Sequence, residues 1–290
     1  MKKLFAFLCC FASLVYGQDE LDPPQSNIQT YTPTKLLSPG QWDLKWFNNL
    51  YTQTTFINDQ GKRGTVAREN FFTSSLDIFT GVSASNRLNI GLLLEYRSNT
   101  IGGKNILAPF DFSSAPYKRS GLSSIAPAIK FTPFAKWARF AIQSSLSLPL
   151  FEKEVAEGIY FDQKGYTLQN RFFYDYLAPN GVIQIYSELN TEFNFGENQA
   201  SFANDSFRLS PGVFVSYFPS PNVTLQGLAQ HSELLDLGSS INQRFTAVGG
   251  GAKFQLNHIL NLELLYTHFV LGKNSGLGQT FNIGLRALFN

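Results

Sequence analysis

Three histidines are the first side chains in this sequence to consider for hydrolytic chemistry. His231 and Ser232 are adjacent, so on a strand they point to opposite faces and cannot form a catalytic pair. His258 lies in a short turn, and His268 is followed two residues later by Val270 rather than by serine. The sequence also lacks a glycine-rich phosphate loop, a nucleophile elbow and any metal-spaced His and Cys cluster. We therefore predict no enzymatic activity, no metal site and no cofactor.

Charged residues are scarce, but they recur at alternate positions of extended segments. Only 15% of the chain is charged, against 43% hydrophobic and 15% aromatic. Alternate residues of a strand share one face, and this parity assigns fifteen charged candidates to the interior of the fold. They are Asp43, Lys45, Asp77, Glu95, Arg97, Lys130, Arg139, Arg171, Asp175, Glu188, Glu192, Arg208, Lys253, Glu263 and Arg286.

This charged face has two interpretations that the sequence leaves open. It forms either a paired polar core that neutralises itself or a wet pathway whose lining selects a solute. The eight basic and seven acidic candidates nearly balance, so we expect no strong ion selectivity. We favour a narrow or partly occluded lumen.

The first seventeen residues have the three parts of a secretory signal peptide. Lys2 and Lys3 precede an apolar stretch, which ends at the small residue Gly17. Cys9 and Cys10 both lie within this stretch, so a cleaved chain would contain no cysteine; a lipid-anchored cysteine is the rival interpretation. Removing Lys2 and Lys3 reduces the 23 basic residues to 21, which equals the number of acidic ones. Such a neutral chain gives no basic surface for nucleic acid.

Residues 18–39 form a second region of distinct composition. Pro23, Pro24, Pro33 and Pro39 lie among polar residues, and such a segment cannot bury a core of its own. We predict that this segment is an extended or disordered lead-in to the domain formed by residues 40–290. From its position next to that domain, it could plug the mouth.

From Gly40 to the end, apolar and polar residues alternate with a period of two, which indicates strands. In the last segment the apolar face carries Phe281, Ile283 and Leu285, whereas the opposite face carries Asn282 and Arg286. Twelve segments have this pattern: 40–54, 70–82, 87–98, 121–132, 138–150, 165–177, 181–195, 206–218, 222–232, 242–256, 259–271 and 278–289.

The connections between these segments alternate between short turns and longer loops. The longest are Thr55–Glu69, Asn99–Ser120 and Phe151–Lys164, and all follow odd-numbered segments. A β-sandwich has no reason to sort its loops in this way, whereas outer-membrane barrels do. No apolar run approaches the length of a membrane helix, and a sheet in lipid must close on itself. We therefore predict an all-β, closed antiparallel transmembrane barrel of about 12 strands in the outer membrane, with both termini periplasmic.

Two prolines interrupt predicted strands. Pro127 and Pro211 both fall on the lipid-facing parity, and a proline in a strand removes one ladder hydrogen bond. They either kink the wall locally or mark a gap through which an apolar solute could leave sideways.

The chain resembles a known family at several places. The run Leu-Leu-Ser-Pro-Gly-Gln-Trp at 36–42 looks like the first-strand entry of the outer-membrane transporters named for the MetA pathway of phenol degradation. The segments 121–131 and 145–149 are similar to that family's paired middle strands, which end at a proline. Residues 284–289 look like the signal read by the barrel-assembly machinery, although Asn290 after the terminal aromatic departs from it.

The resemblance implies passage of small apolar or aromatic molecules, by analogy with fatty-acid transporters. We accordingly expect passive transport across the outer membrane, with membrane lipid, the assembly machinery and a small apolar solute as partners. The alternative is a structural or adhesive barrel whose lumen is filled and whose outer loops bind another molecule.

Overall fold

The alternating pattern folds into twelve long strands in the computed structural model, which describes residues 33–111, 115–196, 205–237 and 242–289. The strands are β1 Trp42–Ile57, β2 Arg63–Gly81, β3 Leu88–Thr100, β4 Lys118–Phe131, β5 Phe140–Pro149, β6 Tyr166–Leu177, β7 Ile183–Phe195, β8 Ser206–Ser220, β9 Val223–Asp236, β10 Gln243–Gln255, β11 Leu260–Lys273 and β12 Gln279–Phe289. Shorter strands are Val155–Ala156, Ile159–Tyr160 and Ser275–Gly276. A short 3-10 helix spans Ala108–Phe110.

The sheet closes into a barrel because β1 pairs with both β12 and β2. Trp42 lies opposite Phe289 on one side and opposite Thr80 on the other, and every pairing between neighbouring long strands is antiparallel. Closure leaves no long strand with an unpaired edge. The predicted closed antiparallel barrel of 12 strands is confirmed. Within the described residues, no helix is long and apolar enough to cross a membrane.

The first hairpin differs from the sequence prediction. The loop predicted at Thr55–Glu69 is mostly strand, since β1 continues to Ile57 and β2 begins at Arg63. Their backbones pair to the tip, where Ile57 lies opposite Arg63. This extension carries polar residues on both faces, because a strand that protrudes beyond the apolar layer has no apolar face to bury. The two-residue alternation of apolar and polar residues is therefore lost there. Only residues 58–62 form the loop.

The outward face of the barrel is apolar and exposed. Its exposed side chains include Ile90, Leu122, Ile129, Leu146, Val213, Val215, Val248, Leu264 and Ile283. Aromatic rings flank them, with Trp42 and Tyr217 near the short-turn end and Tyr166 and Tyr266 towards the long-loop end. Such a surface cannot face water without a large cost in free energy, and it has the pattern of a lipid-facing barrel wall.

A loop covers the outside of the wall at the long-loop end. Asn70 Nδ2 donates to Thr100 Oγ1 and to the carbonyl oxygen of Asn105, both at 3.0 Å. Ser98 Oγ donates to the carbonyl oxygen of Pro109 at 2.8 Å. Asn70, Ser98 and Thr100 are fully buried beneath this loop although they point away from the lumen. At this end of the barrel a protein segment, rather than an apolar layer, covers the wall. The outward-facing residues beneath it are therefore polar.

Both strand prolines point outward and are exposed. Beside Pro127, the β4–β5 pairing passes from Ile125 opposite Leu148 directly to Ala128 opposite Ser145, with the register unchanged. The β8–β9 pairing likewise omits Pro211. Each proline thus interrupts the hydrogen-bond ladder to one of its two neighbouring strands over a short stretch. The register does not shift there, so no bulge forms.

Candidate functional site: the lumen

Inward-facing residues of the described chain leave cavities inside the barrel, and two of them adjoin each other. The larger, which we call the main chamber, has a volume of about 990 Å³. The smaller, the side chamber, has a volume of about 500 Å³ and is lined by strands from β2 to β8. Ser75, Asp77 and Arg171 line both cavities, so the two chambers adjoin at this point.

Thirteen of the fifteen charged candidates line these chambers. The main chamber is lined by Asp43, Lys45, Asp77, Lys130, Arg171, Glu188, Lys253, Glu263 and Arg286. The side chamber adds Glu95, Arg97, Glu192 and Arg208. The strands position them because each lies at an inward position of the two-residue repeat.

The remaining two candidates lie elsewhere. Asp175 is buried at the short-turn end, where it accepts hydrogen bonds from Thr34 and Gln184. Arg139 does not face the lumen, because β5 begins only at Phe140 and Arg139 still belongs to the preceding turn. It is exposed, and its guanidinium lies 5.7 Å from the centroid of the Tyr176 ring on the outside.

Most lumen charges are paired within the wall. An isolated charge away from bulk water is costly, so an opposite charge on a nearby position stabilises it. The pairs are Arg97 with Glu95 at 2.6 Å, Arg171 with Glu188 at 2.7 Å, Lys253 with Glu263 at 2.8 Å, Arg208 with Glu192 at 3.4 Å and Arg286 with Asp43 at 2.5 Å. These pairs neutralise the wall and explain why neither charge sign dominates it.

Three charged groups of the main chamber differ from the rest. Within the described part of the chain, Lys45, Asp77 and Lys130 make no ion pair within 4.0 Å. The ammonium of Lys45 lies 5.0 Å from the Phe47 ring centroid, and that of Lys130 lies 4.5 Å from the Phe79 ring centroid. Cation–π contacts of this kind only partly replace an opposite charge, so the two ammonium groups stay open to a ligand.

Aromatic rings also line the main chamber, which the sequence analysis missed. Tyr51 lies 4.9 Å from Phe269, and Phe269 stacks on Phe245 at 4.5 Å between centroids. Phe47 and Phe71 line the same cavity. The alternation contains a signal for them, since Phe47 shares the parity of Lys45 and Phe79 shares that of Asp77, but a rule that places every apolar residue on the lipid face hides it. The chamber therefore combines aromatic and charged surfaces.

The segment Pro33–Pro39, which we call the plug segment, lies in the short-turn end of the barrel. Leu37 is fully buried and packs against Phe79, Ala128 and Leu288 from three strands. Its backbone N–H donates to Asn89 Oδ1 at 3.2 Å. Leu37 therefore fills part of this mouth.

Thr34, also in the plug segment, is buried and donates from its hydroxyl to the Asp175 carboxylate on the opposite wall. Pro33 lines the main chamber. The segment thus spans the mouth from β6 to β3 before it joins β1. Residues 18–32 of the predicted lead-in, and the predicted signal peptide, lie outside the described residues.

The loop between β5 and β6 narrows the opposite end. Phe161 is buried there, and Asn99 Nδ2 donates to the carbonyl oxygens of Tyr160 and Phe161, both at 2.9 Å. Asp162 binds Arg97 at 3.1 Å. Burial raises the pKa of Asp162 to about 6, and the Arg97 charge opposes this rise. The loop is therefore fixed to the lumen wall by polar contacts rather than by apolar packing alone.

His231 contacts a hydroxyl group on the neighbouring strand. His231 Nδ1 lies 2.8 Å from Thr246 Oγ1 on the neighbouring strand. Across the described ranges, no group of three or more His, Cys, Asp or Glu side chains could hold a metal ion.

Comparison with known proteins supports the fold. No family model matches the sequence, and no curated protein matches it. Among solved structures, an outer membrane channel from Pseudomonas putida F1 aligns with a TM-score of 0.69 at 12% identity, over 93% of this chain and 100% of that one. The β domain of the Bordetella autotransporter BrkA aligns with a TM-score of 0.56 at 14% identity, over 85% and 99%. At these identities the likeness shows the barrel fold.

Proposed function

We propose that this protein is an outer-membrane channel through which small molecules pass by diffusion. The observation that carries the proposal is the pair of adjoining chambers inside a closed barrel whose outer surface is apolar. The apolar wall suits lipid, and the charged and aromatic lining suits a solute pathway. In this proposal the short-turn end and both chain ends lie in the periplasm, residues 1–17 act as a signal peptide, and the assembly machinery inserts the barrel.

We further propose small apolar or aromatic molecules as solutes. Aromatic rings of the main chamber, notably Tyr51, Phe245 and Phe269, offer faces on which an apolar ring can pack. The similarity of the sequence to the phenol-pathway transporters supports the same class of solute. This support is an analogy between folds, since the similar segments contain no reactive site.

The plug segment is proposed to narrow the short-turn mouth at rest. The burial of Leu37 and the contact between Thr34 and Asp175 support this role. Within the described residues, the backbone of the segment pairs with strand backbone only at the bridge between Pro39 and Gly81, and its own sequence has little tendency to form a strand. It can therefore leave the mouth without breaking the barrel.

A structural or adhesive barrel with a filled lumen is the alternative. The combined chamber volume disfavours it, because a packed interior would leave few voids larger than a water molecule. No observation on the lumen favours a catalytic function, and we propose that the protein is not an enzyme.

Swelling of proteoliposomes tests the function. We expect arabinose and benzoate to enter vesicles that contain Leu37→Asp, and to enter more slowly with the unmodified protein. Stachyose, which is much larger, serves as the impermeant control. A filled barrel would pass neither small solute in either protein, and that result would reject the channel.

A further inference from the structure

Three hydrogen-bond donors stand side by side in the wall of the main chamber. Lys130 on β4 lies directly opposite Gln143 on β5, and Gln143 lies directly opposite Arg171 on β6. Facing residues on paired strands have Cβ atoms about 5 Å apart. We call Lys130, Gln143 and Arg171 the donor row, and all three line the main chamber.

Two members of the donor row lack a hydrogen-bond partner in the described part of the chain. Gln143 is 3% exposed, and its buried Nε2 has no acceptor among the described residues. A buried donor without an acceptor costs about 1–3 kcal/mol, and such a group calls for an explanation. Lys130 is 6% exposed as a residue, and its ammonium makes no ion pair with a described residue.

The third member adds positive charge and further donors. Arg171 binds Glu188 through Nε at 2.7 Å, which leaves the two terminal nitrogens of its guanidinium to donate. The ligand that fits the row must therefore supply acceptors and negative charge. Charge-assisted bonds from an ammonium and a guanidinium to an oxyanion are about twice as strong as neutral ones.

Apolar rings lie next to the donors. The Phe79 ring lies below the Lys130 ammonium, and the Phe173 ring centroid is 5.1 Å from the Arg171 guanidinium. The plug segment closes the chamber just beneath, since the N–H of Leu37 binds Asn89, which is the cross-strand neighbour of Lys130 on β3. An oxyanion on the row would thus stand at the inner end of the chamber, with its apolar part directed towards aromatic side chains.

We infer that Lys130, Gln143 and Arg171 form a subsite for the carboxylate of a small organic acid held in the main chamber. The inference extends the proposed function by adding an anionic group to the solute, and its transport consequence rests on that function. Binding itself does not require transport.

Asp77 provides an internal test of this assignment. Its carboxylate lines both chambers, and the charges that act on it include Arg171 and Lys130. An anion on the donor row is therefore repelled by the ionised form of Asp77. Removing that charge is expected to strengthen binding, an effect that damage to the fold would not produce.

The experiment measures binding of benzoate to the full chain in detergent by saturation-transfer NMR, with benzyl alcohol as the neutral counterpart. We expect the unmodified protein to bind benzoate at least tenfold more tightly than benzyl alcohol. Lys130→Met is expected to weaken benzoate binding about tenfold or more, while Lys164→Met in the exposed outer loop leaves it unchanged. Asp77→Asn is expected to strengthen it severalfold.

Gln143→Glu keeps the inference testable if Lys130→Met does not fold. This nearly isosteric change places a carboxylate in the subsite, so benzoate binding should be lost while the barrel remains folded. Equal affinity for benzoate and benzyl alcohol, or full benzoate affinity in folded Gln143→Glu, would overturn the subsite. Vesicle swelling separates the two proposals. A barrel that binds benzoate but passes no solute would support the subsite and reject the channel. A barrel that passes solutes but does not bind benzoate would support the channel and reject the subsite.

Discussion

The guanidinium of Arg286 binds the carboxylate of Asp43 across the seam where the last strand meets the first. Nε lies 2.8 Å from Oδ1, and one terminal nitrogen lies 2.5 Å from Oδ2. This two-point contact joins residues at opposite ends of the barrel sequence. Because a bidentate pair fixes both distance and orientation, it helps to hold the closure of the barrel.

Breaking this pair should destabilise the barrel. Asp43→Asn removes the carboxylate charge that binds Arg286 in the wall, which is expected to lower the free energy of unfolding by about 3 kcal/mol. Urea unfolding in lipid vesicles measures the change. In a double-mutant cycle with Arg286→Met, the double variant should lose less than the sum of the two single variants; simple additivity would show that the pair contributes no coupling.

Opening the plug should increase the current. Leu37→Asp places a charge among Phe79, Ala128 and Leu288, so the plug segment should leave the mouth and the single-channel conductance should rise. Ser38→Asp is the matched control, since Ser38 is exposed in the same segment. An identical conductance for Leu37→Asp and the unmodified protein would contradict the plug.

The apolar wall predicts a depth-dependent cost for charge. Ile283 is 53% exposed in the middle of β12, and Ile283→Arg is expected to reduce the stability in lipid by about 2–4 kcal/mol. Val155→Arg is a matched control, because Val155 is also 53% exposed but lies in the loop between β5 and β6. Equal effects of the two changes would argue against a lipid-facing position for Ile283.

The docked outer loop should respond to pH through Asp162. Burial raises the pKa of Asp162 from its usual 3.8 to about 6, so the folded state binds this proton more tightly than the unfolded chain. The resulting stability is fully present below pH 4 and is lost as the pH rises through 6. Thermal unfolding from pH 4 to 7 should therefore show a decline in the unmodified protein that Asp162→Asn reduces. A decline of the same size in Asp162→Asn would exclude this residue as the cause.

Much of the fold could be predicted because a barrel wall imposes a strict period of two. Lys45, Asp77 and Glu263 are separated widely in sequence, yet each lies inward because its strand neighbours point to lipid. The same rule failed at Arg139, since parity has meaning only inside a strand and this residue precedes β5. It also failed at the first hairpin, where the strands extend past the apolar layer.

The candidate site was harder to predict. Which lumen charges remain unpaired depends on register and side-chain reach, which alternation alone does not determine. Gln143 carries no charge and therefore did not stand out, although its position beside Lys130 and Arg171 gives the donor row its form. The burial of Leu37 depends on contacts with β2, β4 and β12, far away in sequence.

Single-channel recording in planar lipid bilayers tests the central claim most directly. The full chain is expected to insert and to give small, discrete current steps that grow in Leu37→Asp, with a reversal potential near zero in a salt gradient because the lumen charges nearly balance. Failure of both folded proteins to carry any current after insertion would contradict the account.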